Sequence, residues 1–342
     1  MSHLFLTGAT GLVGSEFLQR ALAQDLRVIC LTRRAASFGE AVVLRGDLSN
    51  FEVDPRDVNA ILHCAAETRF SLGIDEIRST NLEGTRRVLE FARRCPKLEK
   101  LGYVSTVFTC GRMEGSLNET RWRPPAFTNT YQQSKWEAEE LVFDRMRDLP
   151  AAIYRLSSII GHSRTGVVRQ FNYTHRLLRL FPSNVLPVVP GVPDAPVDLI
   201  ATDWASDALF QLFVSRFEAG KVFHICAGPA RSMGVEEMIH LARCIFESTP
   251  EARKWLPIRV PKLVSLAEYR TFVEEANRGK DRLLKETIRV LDYFLPHLGM
   301  RQEFDWANTC ALLPHLELPP IREYFAAMVE YCLATDWGRR QR

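Results

Sequence analysis

Leu4-Phe5-Leu6-Thr7-Gly8-Ala9-Thr10-Gly11-Leu12-Val13-Gly14 is the stretch whose reading decides the fold. The apolar run at 4–7 predicts a buried strand, and the periodicity at 12–23 predicts a helix directly behind it. Between them stand three glycines at a spacing of three. Gly8 allows a tight turn, Gly11 lets the backbone approach a pyrophosphate, and Gly14 lets helix and strand pack closely. The helix start offers free N–H groups and a positive dipole end to phosphate oxygens. Thr10, Leu12 and Val13 lie inside the same cradle, so residues 8–14 are assigned to binding a dinucleotide.

Working outward, apolar runs at 26–31, 41–44, 60–66, 101–107 and 151–160 predict five more strands, with helices over 82–94 and 131–147. Strands that are apolar on both faces and alternate with helices predict a Rossmann-type α/β fold, a doubly wound parallel sheet covered on both sides. After Gly166 comes a basic amphipathic segment at 169–182 and then a proline-rich stretch. Residues 197–212 read as a return to the core and 222–226 as a further strand. The expected division is a dinucleotide-binding domain at 1–168 plus 197–235, and a smaller, mainly helical C-terminal substrate lobe at 169–196 plus 236–342.

The chain has 342 residues, 46% of them hydrophobic and 25% charged, which are ordinary globular values. A formal charge of +3 is too small for a nucleic-acid-binding stripe. The eight cysteines include no CxxC pair, which argues against a zinc site, and several lie in strand-like runs that read as free thiols of a reducing compartment. No 18-residue apolar run predicts a membrane span, and the N-terminus enters a strand at once, so the expected location is the cytoplasm.

The second strand ends in Leu31-Thr32-Arg33-Arg34, without the carboxylate that would hold a ribose 2′-hydroxyl. A guanidinium there suits a 2′-phosphate, so the cofactor expected is NADP(H), with Arg33 first and Arg34 assisting. Solvated arginines are the plain alternative. Asp47, in Gly46-Asp47-Leu48, is placed to meet the adenine amino group. Ala65 and Ala66, ending the fourth strand, are small enough for a dinucleotide to lie close.

Tyr131 and Lys135 stand at i and i+4, on one helix face. A lysine cation beside a phenol favours phenolate and would make Tyr131 a useful acid or base near neutral pH. Ser105 and Thr106 end the fifth strand at the edge of the sheet where ligands of open α/β folds bind.

These features resemble the extended short-chain dehydrogenases/reductases. The resemblance runs through TGATGLVG at 7–14, GDL at 46–48, HCAA at 63–66, NLEGT at 81–85, VSTVFTCG at 104–111, YQQSKWEAEEL at 131–141 and RLSSIIGHSRTG at 155–166, and more loosely through 197–209. It implies Thr106, Tyr131 and Lys135 as the catalytic trio, and Leu156, Ser157 and Ser158 beside the nicotinamide. The family more often has Ser at 106 and Pro at 156. In motif style the chain is most similar to thioester and fatty acyl reductases. That implies hydride transfer to an acyl-CoA or carrier-bound thioester, with an acyl carrier protein as a possible partner and a homodimer as a possible assembly. A reductase of a free ketone or aldehyde would need the same trio. A nucleotide-sugar epimerase or a non-catalytic NADPH sensor fits the sequence less well. Large apolar residues from Leu263 to Leu298 read either as a substrate pocket or as a cap burying its own core. The basic residues Arg164, Arg169, His175, Arg176 and Arg179 read either as a surface for CoA phosphates or an acidic carrier, or as a solvated helix face.

Overall fold

In a computed structural model that describes residues 3–33 and 36–340, seven strands form one sheet. They are β1 (His3–Thr7), β2 (Val28–Thr32), β3 (Val42–Arg45), β4 (Val58–His63), β5 (Lys100–Thr106), β6 (Ala151–Leu156) and β7 (Val222–Ile225). All neighbours pair in parallel, in the order β3-β2-β1-β4-β5-β6-β7. The order reverses between β1 and β4, which opens the crevice at the carboxyl ends of the strands.

Period-two alternation makes both faces apolar. Leu4, Leu6, Val28, Cys30 and Leu62 point into one core, with Phe17 and Leu18 of α1 (Leu12–Ala23). Phe5, Ile29, Leu31, Ile61 and Tyr103 point into the other, under α2 (Ile74–Ala92) and α3 (Thr130–Arg145). The second helix therefore starts eight residues before the 82 expected. Its first turn carries Asp75 and Glu76 at the positive dipole end, and only Ile77 marks the buried side there.

The expected strand at 151–160 is broken. Ser157 donates its N–H to Ile225 O (3.0 Å) and its hydroxyl to Asp198 O (2.8 Å). Ser158–Gly161 then leaves the main sheet and pairs with Leu199–Ala201. Beyond it lie α4 (Tyr173–Leu180), α5 (Thr202–Phe210), which packs on α1, α6 (Val235–Ser248), α7 (Leu266–Arg278), α8 (Arg282–Leu291), α9 (Ala307–Leu312) and α10 (Ile321–Ala334). Val189, Val235, Ile239, Tyr269, Leu291 and Leu295 form a small separate core, so these members of the C-terminal apolar set serve a cap. α10 belongs to the large core instead. Tyr324, Phe325, Met328 and Cys332 are fully buried there, and Tyr324 donates its hydroxyl to Leu199 O (2.7 Å). At Gly166 (φ +65°) a Cβ would fall 2.0 Å from Ala327 O, so only glycine lets α10 sit so close. Among the described residues no helix is long and apolar enough to cross a membrane.

Candidate active site

The glycine loop closes over the end of β1. Gly8 has φ +76°, and a Cβ on it would lie 2.6 Å from Ala65 N. A Cβ on Gly14 would lie 2.2 Å from Gly8 O. Gly11 differs: a Cβ there would meet only Gly8 O, at 3.3 Å, so its outer side is open. Gly11 precedes α1, and no side chain of its own caps the helix. An exposed contact crosses the helix start, where Leu12 N–H donates to Gln170 Oε1 (3.3 Å). Two glycines are thus required by packing, while the third leaves a helix start open to an anion. That is the fit a pyrophosphate needs.

The end of β4 is pinned to this loop by residues whose roles the sequence does not announce. Thr7 Oγ1 accepts Ala65 N–H (3.2 Å), so its hydroxyl proton goes to His63 Nδ1 (2.6 Å). His63 Nε2 then donates to Thr85 Oγ1 (3.1 Å), whose proton goes to Asn81 O (2.6 Å). Burial pulls the His63 pKa down to about 3, and the imidazole is neutral. Asn81 carries the chain onward. Its amide donates to Ser134 Oγ (2.9 Å) and Glu67 O (2.9 Å), and its Oδ1 accepts Glu67 N–H (2.7 Å). β1, β4, α2 and α3 are locked together by one continuous polar line.

Arg33 is exposed at the end of β2; Arg34 lies outside the described residues. Asp47 is exposed after β3, and bonds from Ser49 and Asn50 hold its carboxyl below the usual value. Leu48 is buried beneath Gly84, where a Cβ would lie 2.6 Å from Leu48 Cδ1. Leu156 is buried at the end of β6, and the Ser158 hydroxyl bonds Tyr173 Oη.

Thr106 ends β5, with its Oγ1 accepting Phe108 N–H (3.3 Å). Lys135 is 2% exposed and donates from Nζ to Val104 O (2.7 Å), with the Tyr103 ring 4.1 Å away. Burial lowers its pKa to about 7. Burial also pushes the Tyr131 phenol up, opposite to the direction expected from a neighbouring lysine. Burial is the main cause, and the nearby Tyr173 phenol adds to it. Tyr131 meets the edge of Phe70 (5.2 Å), which meets Phe294 (4.6 Å), which in turn stacks on Tyr173 (4.2 Å, 8°).

Behind the trio lies a buried ion pair. Arg155 Nη2 and Nε donate to Glu139 Oε2 and Oε1 (2.7 and 3.0 Å), with side-chain exposures of 0% and 1%. Glu139 Oε1 also accepts the hydroxyl of Ser105 (2.5 Å), the residue before Thr106. Tyr131, Lys135 and Glu139 follow at successive helical turns of α3, so the pair fixes that helix to β5 and β6.

Residues 47–209 match the family described as "Male sterility protein". The fold, a seven-stranded parallel sheet covered by helices, is Rossmann-like. The matched segment holds Thr106, Tyr131 and Lys135 and begins after the glycine loop. Such a domain takes a nicotinamide cofactor, which the open glycine cradle accommodates. The chain is 24% identical over 328 residues to a non-canonical nonribosomal peptide synthetase, cpsA, of Aspergillus campestris, covering 76% of this chain. It is 26% identical over 260 residues to a linear gramicidin synthase of Brevibacillus parabrevis, covering 64% of this chain and 5% of that protein. It spans only 31% of the first of these relatives. The structure of the terminal R domain from the myxalamid PKS-NRPS biosynthetic pathway shares the fold, with a TM-score of 0.79 and 23% identity over 99% of this chain and 92% of that one.

Proposed function

We propose that the protein is an extended short-chain dehydrogenase/reductase and an NADPH-dependent reductase of acyl thioesters, acyl-CoA or carrier-bound. The observation that carries the reading is Lys135, buried and tied to Val104 O one helical turn from Tyr131, at the end of the strand that also bears Thr106. NADPH bound on the glycine loop supplies the hydride. Arg33 takes the 2′-phosphate and Asp47 the adenine amino group. Ala65 and Ala66 give the dinucleotide room, and Leu156, Ser157 and Ser158 border the nicotinamide. Thr106 Oγ1 and Tyr131 Oη hold the carbonyl oxygen as negative charge gathers on it. Burial keeps Tyr131 protonated, so it enters as a proton donor. Lys135, when charged, stabilises the phenolate left behind. The thiol leaves and an aldehyde results.

Peptide synthetases and a terminal R domain among the similar proteins support a thioester over a free ketone. Residues 169–196 and 236–342, apart from α10, which docks on the large core, serve as the substrate lobe against the core at 1–168 and 197–235. Arg164, Arg169, Arg176 and Arg179 are exposed on that side and suit CoA phosphates or an acidic carrier. His175 is not part of this face. It is buried, accepting Asn172 N–H (2.9 Å) and donating to Ile160 O (2.6 Å).

The test follows NADPH oxidation and thiol release together over a panel of acyl thioesters, free aldehydes and ketones. Stoichiometric thiol release that vanishes in Tyr131→Phe is expected. Ketone turnover without thiol release would overturn the thioester assignment.

A further inference from the structure

A cavity of about 60 Å³ lies beside the aromatic stack, walled by Phe108, Tyr173, Leu177, Phe294, Leu298 and Phe304. On one side it abuts the end of β5, where Phe108 gives its N–H to Thr106 Oγ1 (3.3 Å) and its ring to the cavity wall. On another side rings lead from the cavity to the Tyr131 phenol. Phe294 meets Phe70 edge-on (4.6 Å), and Phe70 meets Tyr131 (5.2 Å). Phe294 and Phe70 therefore stand between Tyr131 and the cavity. Phe294 comes from the C-terminal lobe, yet it turns toward the core and stacks on Tyr173 (4.2 Å, 8°). Its backbone is held on both flanks. Leu291 and Leu295, each 1% exposed, are buried in the lobe's small core. Phe294 donates its N–H to Leu291 O, and its own carbonyl accepts His297 N–H (2.9 Å each). Asn129, at the start of α3, donates from Nδ2 to Tyr293 O (3.3 Å). The ring is thus a fixed wall on an anchored segment, not a flap.

The lining says which end of a thioester the cavity suits. Most of its side chains are apolar, and the Tyr173 hydroxyl already bonds Ser158. The Asp198 carboxylate is on the wall and takes the N–H groups of Ala227 and Gly228 (2.9 and 3.0 Å). His297, drawn down by burial to a pKa of about 4, is uncharged at pH 7, so no cation among the described residues lines the cavity. A carboxylate without a cation repels phosphate, which turns the phosphate-bearing thiol arm elsewhere and leaves the cavity to an apolar acyl chain. The geometry points to Phe294 as the residue that limits the acyl group: its ring closes the cavity off from the reacting carbonyl, so the chain accepted is one that ends at that ring. This rests on the thioester reading and adds a substrate class, thioesters of short acyl groups. Removing the ring joins the cavity to the site, and each further methylene that then enters raises kcat/KM about fourfold.

The experiment measures kcat/KM for straight-chain acyl-CoAs from acetyl to palmitoyl in the wild type, in Phe294→Ala, and in Phe294→Ala combined with Leu177→Phe. A short optimum is expected in the wild type. It should move to longer chains in Phe294→Ala, by about fourfold per added methylene, and move back when Leu177→Phe refills the cavity. Phe294→Leu keeps more of the packing, should shift the profile in the same direction, and carries the test if the alanine variant does not fold. An unchanged profile, a wild type that already favours long chains, or a double variant that keeps the long optimum would overturn the inference. The same chain lengths are also offered as free aldehydes. Aldehyde turnover that shows the shift, without thioester turnover, sinks the thioester reading and leaves the wall standing. If neither series is reduced, alkan-1-ols of the same lengths are titrated into the NADPH-loaded protein by calorimetry. An affinity optimum that lengthens in Phe294→Ala upholds the wall, and an unmoved optimum or no binding overturns it.

Discussion

Replacing Glu139 by Ala should be among the most damaging single changes outside the glycine loop. The carboxylate lies in a site with 1% exposure and takes bonds from Arg155, Ser105 and Thr109. Without it the Arg155 guanidinium, 0% exposed, keeps only His224 Nε2 at 3.3 Å and the Trp122 ring at 3.6 Å. Burial and the arginine itself hold the His224 pKa well down, so that imidazole brings no compensating charge. Breaking one partner of a buried pair costs about 3–5 kcal/mol, because the other charge is stranded. At roughly 2 °C per kcal/mol for a chain of this size, the melting temperature should drop by about 8 °C. Thermal and urea unfolding of the NADPH-free protein measure this. Glu139→Leu combined with Arg155→Met should recover most of the loss, since the pair itself contributes little net stability against apolar groups. A loss below about 1 kcal/mol in Glu139→Ala, or a double variant as unstable as the single one, would refute the stranded-charge account.

Gly14→Ala should abolish dinucleotide binding measured by NADPH fluorescence, because its Cβ would lie 2.2 Å from Gly8 O and force the loop open. Arg33→Ala should weaken NADPH about tenfold and leave NADH nearly unchanged, as expected for loss of an exposed contact to phosphate. Equal effects on both cofactors would remove Arg33 from the 2′-phosphate site. The pH profile has a definite sign. Reduction needs Lys135 charged, and its pKa is lowered to about 7, so kcat/KM should fall as pH rises through about 7. Lys135→Met should be slow throughout and lack that falling limb.

The sheet was legible in the sequence because β1, β2, β4, β5 and β6 are apolar on both faces, a pattern few other structures produce. The glycine loop and the Tyr131–Lys135 pair were legible because their spacing is local. Glu139 was not. In the run Trp136-Glu137-Ala138-Glu139-Glu140 three carboxylates look alike, yet Glu137 pairs with Arg78 and Glu140 with Arg121 nearer the surface, while Glu139 alone turns inward. Only the helix phase against β5 tells them apart. His63 lies inside a motif that the sequence singles out, but its task depends on Thr7 and Thr85, distant in sequence. The break at Ser157 is set by Ile225 and Asp198, distant in sequence, so it leaves no local signal. The phenol's upward shift leaves none either, because burial, its main cause, is a property of the assembled fold.

The docking of α10 onto the large core bears on how the protein is made. The surface that receives Tyr324, Phe325 and Met328 belongs to elements completed more than a hundred residues earlier, such as Ser158–Gly161 and Leu199–Ala201. During synthesis that surface stays bare until residue 334 has cleared the ribosome, some seconds to tens of seconds later at the usual pace of about 5–20 residues per second. The nascent chain spends that interval with a greasy seam exposed beside an otherwise formed sheet, the interval in which a chaperone would find it.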